Sequence, residues 1–428
     1  MSLLRLDDKN LIAHAGKALK TLNARLARAK EAVIEQAESG TQGWLFLPDD
    51  REMVSRIKNL VAKTRGFSDL LVIGIGGSDL GARALSKALT TQKTKGLRLH
   101  FAGANTDPDE LTTILRELDL KRTLVNVISK SGDTVEPMAT FLIVKEALAK
   151  AVGKGNVGKH IVATTDQNAG SLRELAERES FYTLPVAGNI GGRFSVLTDV
   201  GLFPLAAAGI DIVALLKGAR VERDTFVRDS ADRYQGARYA ALQYLMAEKY
   251  DRRIQILMPY AERLREFGFW YRQLWAESLG KRLNKKGKVV HVGPTPIAAL
   301  GATDQHSQIQ LYVEGPQDKT VTFIEVDHFD TDLRVPTAAK TIPSLAYLSG
   351  VSMQRVIHAE REATARALTD AKRPNATIHL DRISPESMGS LVMFFQIVTG
   401  LSGELYDIDA YDQPGVEGGK RAMRKILS

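Results

Sequence analysis

DLLVIGIGGSDLGARAL, residues 69–85, decides the fold. An unbroken apolar run from Leu70 to Ile73 gives way to Gly74, Gly76, Gly77 and Gly81. That is the pattern of a strand buried on both faces which turns tightly into a helix. Further apolar runs follow at helix-length intervals: RLHFAG (98–103), TLVNVIS (123–129), HIVATT (160–165) and FYTLPV (181–186). Strands this apolar, alternating with helices, imply a parallel sheet covered on both sides. The pattern restarts after helices spanning 211–249, with RIQILMPY (253–260), KVVHVG (288–293), VTFIEV (321–326) and ATIHL (376–380). The expected fold is α/β: two doubly wound parallel-sheet units in tandem.

Outward from these units, Leu11, Ile12, Ala15, Leu19, Leu22, Leu26, Ala29, Val33 and Ile34 recur every three or four residues. They predict an amphipathic helix from Asp7 to about Ala37, and a second is expected over Asp49 to Thr64. The expected division is an N-terminal helical extension (1–45), a first unit (46–208), a second unit (209–405) and a C-terminal arm with a short helix (406–428).

A chain of 428 residues exceeds one ordinary core. The absence of cysteine excludes disulfides, thiolate metal sites and cysteine nucleophiles. The formal charge of +8 is dispersed among nearly as many acids, which favours small anionic substrates over nucleic acid. The N-terminal MSLLRLDDKN lacks a long apolar signal core, so the expectation is a cytoplasmic protein with no membrane association.

The glycine turn after the first strand suits an anion, because backbone amides and a helix N-terminus face outward there. Asp79 stands where a dinucleotide fingerprint requires glycine, and no Gly-Lys-Ser/Thr follows, so neither a nicotinamide cofactor nor a P-loop nucleotide is expected. The third run leads into ISKSGDTVEP, which puts Ser129, Lys130, Ser131 and Thr134 at a strand's C-terminal edge and the next helix's start. Ligands of open α/β sheets bind at that edge, and three hydroxyls with an ammonium suit a phosphate dianion. A capping role for Ser131 or Thr134 would leave Lys130 unexplained. Ser78 from the first turn completes the expected phosphate set. Asp133, repulsive toward phosphate, is expected to point away from it.

GIGGSDLG, VISKSGDTVEP, GNIGGRFSVLTDVGLFPLA, ESLGK, DQHSQIQLYVEG and YDQPGVEGGK, in that order, resemble the motif series of the phosphoglucose isomerase family, in its shorter bacterial form. The resemblance implies two sugar-isomerase (SIS) domains with helical extensions and a homodimer. It also implies reversible conversion of glucose 6-phosphate to fructose 6-phosphate by ring opening and proton transfer through a cis-enediol, without cofactor or metal. Phosphate contacts fall on Ser78, Ser129, Lys130, Ser131 and Thr134, with the backbone of Gly76, Gly77 and Gly192 beside the substrate. Glu277 moves the proton, Arg193 stabilises the enediolate, and His306 with Lys420 assists ring opening, His306 arriving from the partner subunit.

The residue types suit those roles. One carboxylate on one face serves both carbons, and aromatic neighbours in FGFWYRQLWAESLGK are expected to keep water from Glu277. The plain alternative is a solvated glutamate paired with Lys281 one turn on. Arg193 follows Gly191 and Gly192, which permit close approach. Among eight histidines, His306 lies in polar company, whereas His100, His291 and His379 sit in apolar runs. Lys420 follows Gly418-Gly419, expected to let the arm fold back onto the site. A non-catalytic sugar-phosphate sensor on the same fold, and an isomerase that also accepts mannose 6-phosphate, are the competing readings.

Overall fold

The computed structural model describes residues 3–427, without the side chains of residues 417, 421 and 424. Its strands are β1 (Leu4–Asp7), β2 (Asp69–Ile73), β3 (Arg98–Ala102), β4 (Thr123–Ile128), β5 (Ile161–Thr165), β6 (Tyr182–Pro185), β7 (Ile254–Pro259), β8 (Lys281–Leu283), β9 (Val289–Val292), β10 (Thr295–Ala298), β11 (Lys319–Val326) and β12 (Asn375–Leu380). The first sheet runs β3-β2-β4-β5-β6, all parallel. The second runs β1-β12-β11-β7-β10, parallel except for β1.

The parallel strands of both sheets wind alike. After β2 the chain crosses to one side and then returns to the other, and the same reversal occurs after β7. In the first sheet this puts the switch point between β2 and β4, where the glycine turn and the SKSGDT loop emerge together.

Alternation along the strands builds three cores. Leu70, Val72, Leu124 and Val162 face a central core shared with Leu257, Ile324 and Ile378 of the second sheet. Leu71, Ile73, Val125 and Val127 face an outer core under the helices Val135–Val152 and Ser171–Arg178. Ile256, Met258 and Phe323 face the corresponding outer core of the second sheet. The helix Pro385–Tyr406 is long and apolar enough to cross a membrane, yet 94% of its most apolar window is buried inside the protein. It serves as the central core's axis, packed on Ile212–Arg228 where Gly218 and Gly389 let the two backbones touch.

Two expectations need correction. The single N-terminal helix is three pieces, Lys9–Ala15, Ala18–Thr21 and Asn23–Glu38; Gly16, with φ +56°, ends the first. Before it, Leu4 and Leu6 are buried where β1 pairs antiparallel with β12, so the extension is stitched to the second sheet. KVVHVG forms no parallel strand. Asn284 and Gly287 close a tight turn that pairs β9 antiparallel with β8, and β10 takes the sheet edge instead.

Candidate active site

The helix Arg265–Leu279 follows β7 and carries Glu277 in its last turn. Tyr271 and Trp275 stack on each other with ring centroids 5.6 Å apart and point into the core toward Phe395. The expected aromatic shield of Glu277 therefore belongs to the core. Its immediate neighbour is Gln273, whose Nε2 donates to Glu277 Oε2 at 3.0 Å.

Glu277 Oε1 lies 3.3 Å from Arg193 Nη1. Arg193 is buried and every arm of its guanidinium is held. Nε donates to Ser278 Oγ at 2.7 Å, Nη1 to Gln413 Oε1 at 3.0 Å, and Nη2 to the carbonyls of Ala410 at 2.6 Å and Asp412 at 3.0 Å. Burial lowers its pKa from the ordinary value, and the charges of Glu277, Asp412 and Asp409 oppose that shift. A fixed, desolvated cation beside a carboxylate is suited to stabilising negative charge that develops on a bound oxygen.

Lys281 does not pair with the Glu277 carboxylate. Its ammonium donates to the Glu277 backbone carbonyl at 2.9 Å and to the Asp412 carbonyl at 2.6 Å, so the solvated-pair alternative fails. Glu277, Lys281, His291, Asp409, Asp412, Gln413 and Val416 line one groove of about 980 Å³.

The glycine turn after β2 meets the Gly192–Arg193 segment of this site and lies beside the SKSGDT loop that follows β4. A Cβ on Gly77 would lie 2.1 Å from the Gly192 carbonyl, so only glycine allows the two loops to meet. Gly77, and not Gly191 or Gly192, is the glycine that this approach requires, since a Cβ on either of the latter would meet nothing closer than 3.6 Å. Gly76 has φ +58° and abuts Gln273. Ser78 closes the same turn, half-buried.

In the SKSGDT loop, Ser129 is buried and accepts the Gly132 N–H at 3.0 Å. Lys130 is exposed and donates to the Gly188 carbonyl at 3.0 Å. Thr134 stands at the N-cap of Val135–Val152 without a side-chain cap bond, so capping does not account for its hydroxyl. Asp133 turns onto Ser131 and accepts its hydroxyl, where it had been expected to face away. A phosphate at Ser131 has to displace that carboxylate.

His306 and Lys420 are carried by other elements. His306 is exposed beyond β10, beside Asp304, whose carboxylate is influenced by Arg265 at the far end of Glu277's helix. Twelve residues of helix separate Arg265 from Glu277, about 18 Å at 1.5 Å per residue. Lys420 lies exposed in the helix Glu417–Leu427, which begins where residues 412–416 leave the Glu277 groove. Gly418 and Gly419 lie inside that helix; the chain reverses earlier, at Asp407 with φ +58°.

Gln273, Ser278 and Gln413 are site residues that the sequence reading does not single out, although Gln273 stands one helical turn before Glu277, Ser278 directly follows it and Gln413 lies in the quoted YDQPGVEGGK; Lys281 figures there only as a solvated partner of Glu277. Asp79, which argued against a dinucleotide, is buried and paired with Arg83 at 3.0 Å. Among the described residues, Glu325, Asp327 and His379 bring three ligand-type atoms within 4.8 Å of one another, but Arg361 already engages Glu325 at 2.6 Å.

Two like-wound parallel sheets, with a hydroxyl-rich loop at the switch point of one and an Arg–Glu pair beside it, define a double-sheet α/β protein of the sugar-isomerase class. The chain belongs to the phosphoglucose isomerase family, whose model matches residues 20–428. It is 41% identical to the glucose-6-phosphate isomerase of Rubrobacter xylanophilus over 95% of this chain and 93% of the relative. It is 36% identical to that of Thermus thermophilus over the full length of both. A hypothetical protein of T. thermophilus superimposes with TM-score 0.91 at 35% identity over 99% of this chain and all of that one. A glucose-6-phosphate isomerase from Chlamydia trachomatis superimposes with TM-score 0.84 at 25% identity, covering 96% and 86%.

Proposed function

We propose that the protein interconverts glucose 6-phosphate and fructose 6-phosphate by proton transfer. The observation that carries this reading is the 3.3 Å approach of the buried Arg193 guanidinium to the Glu277 carboxylate at the mouth of a groove. Ser78, Ser129, Lys130, Ser131 and Thr134 hold the phosphate, with the backbone of Gly76, Gly77 and Gly192 alongside. In the open-chain sugar Glu277 takes the proton from the carbon next to the carbonyl. The C–H electron pair forms the enediol double bond, and the carbonyl electrons move to oxygen, where Arg193 stabilises the charge. Glu277 then returns the proton to the neighbouring carbon, and the proton of the adjacent hydroxyl passes to the charged oxygen, so that the former hydroxyl oxygen becomes the new carbonyl and the charged oxygen a hydroxyl. His306 and Lys420 move the ring-oxygen and C1-hydroxyl protons during opening.

The exposure of His306 and its distance from Glu277 support a homodimer in which the second copy brings His306 to this groove. A coupled assay on fructose 6-phosphate with EDTA present tests the function. Turnover is expected; its absence from correctly folded protein would reject the isomerase reading.

A further inference from the structure

We propose that Lys281 is a positioning residue for this reaction, a latch that fixes the arm at residues 409–413 against the last turn of the helix carrying Glu277. The inference rests on the isomerase reading and deepens it.

Lys281 is buried, unusual for a lysine, and its three N–H bonds have three acceptors. These are the Glu277 carbonyl at 2.9 Å, the Asp412 carbonyl at 2.6 Å and Asp412 Oδ1 at 3.1 Å. The helix ends at Leu279, so the Glu277 carbonyl is among those a helix C-terminus leaves unpaired. A cation there also complements the helix dipole. The Asp412 carbonyl accepts from Arg193 Nη2 as well, so two buried cations converge on one backbone oxygen. Arg193 is tied to Ser278 and Lys281 to Glu277, both on the catalytic helix, while both cations hold the arm. The arm carries Gln413, which shares Arg193 Nη1 with Glu277, and leads directly into the helix bearing Lys420. Removing Lys281 releases one of the two ties and leaves an unpaired helix carbonyl beside the carboxylate that reacts. Lys281 bonds the helix end and the arm, whereas Lys130 and Ser129 bond Gly188 and Gly132, so phosphate binding is expected to survive the change.

The test reads wild-type turnover first, so that failure of the isomerase reading and failure of the latch are separate results. Lys281→Met should lower kcat by about 30- to 100-fold, the scale of a displacement near 1 Å in a catalytic group. KM, and the inhibition constant of inorganic phosphate as a competitive inhibitor, should stay within about twofold, because ground-state binding is untouched. Asp412→Asn keeps the carbonyl bond and loses the carboxylate, so its kcat should fall by less, and the double variant should be no worse than Lys281→Met alone. If Lys281→Met retains kcat, or if KM and phosphate inhibition shift while kcat does not, the latch is wrong. Should Lys281→Met fail to fold, Asp412→Asn decides, and an unchanged kcat in that variant overturns the proposal.

Discussion

Arg193 Nη1 stands 3.3 Å from Glu277 Oε1, with the guanidinium buried and the carboxylate partly open to the groove. The pair joins parts of the chain 84 positions apart, and the arm from Ala410 to Gln413 closes over it. This arrangement makes the cation a fixed element of the site, already desolvated before substrate arrives.

Replacing Arg193 by Lys keeps the charge and removes the planar fork that bonds Ser278, Gln413 and the arm at once. The expected result is a kcat lower by about 10²- to 10³-fold, the range for losing an oriented oxyanion donor. Steady-state rates on fructose 6-phosphate check it, with a kcat near wild type telling against the role of Arg193.

The proposed role of Lys130 is in binding. Its exposed ammonium donates to the Gly188 carbonyl, a partner that phosphate would replace. Lys130→Ala should raise KM by about 10- to 100-fold, the scale of one charge-assisted hydrogen bond, and leave kcat within a few-fold. An unchanged KM would exclude direct phosphate contact.

The strands of the first sheet and the position of the SKSGDT loop at its switch point were legible because both are local. A buried strand, its glycine turn and the hydroxyls at its end lie within a few residues of one another, and the switch point puts β2 and β4 side by side. The Arg193 network was only half legible. Its glycine requirement falls on Gly77, more than a hundred positions away, and its carbonyl partners at Ala410 and Asp412 carry no side-chain signature. The N-terminal strand went unread because four residues, Leu4–Asp7, are too short for a periodic signal; only their pairing with β12 defines them. KVVHVG misled for the converse reason, since an apolar run does not say which strand it pairs with.

The position of His306 leads to a complementation experiment. Glu277→Gln and His306→Ala should each be inactive alone. After mixing, unfolding and refolding together, hybrid dimers carry one intact site, and about a quarter of wild-type activity should return for random pairing. No recovery in verified hybrids would place His306 in its own chain's site or outside the chemistry.

A buried acid outside the site should make stability depend on pH. Glu222 lies between Tyr234 Oη at 2.7 Å and Ser390 Oγ at 3.0 Å, and burial pushes its pKa up to about 7. The native state then holds a proton that the unfolded chain releases near the ordinary carboxylate value. Stability conferred by the protonated form is present below about pH 4.5 and is lost as pH rises through about 7, a change of about 3 kcal/mol. Glu222→Gln should abolish this component, so the variant should gain on wild type in urea midpoint between pH 4.5 and pH 8. Parallel pH profiles for the two proteins would refute the assignment.

Isotope exchange reaches the central claim most directly. Fructose 6-phosphate is incubated in D2O with EDTA and the glucose 6-phosphate formed is analysed for deuterium at C2. Proton transfer through Glu277 predicts deuterium at C2 in a measurable fraction of the wild-type product and none with Glu277→Gln. Isomerisation by wild type with no deuterium at C2, or incorporation that survives in Glu277→Gln, would contradict the account.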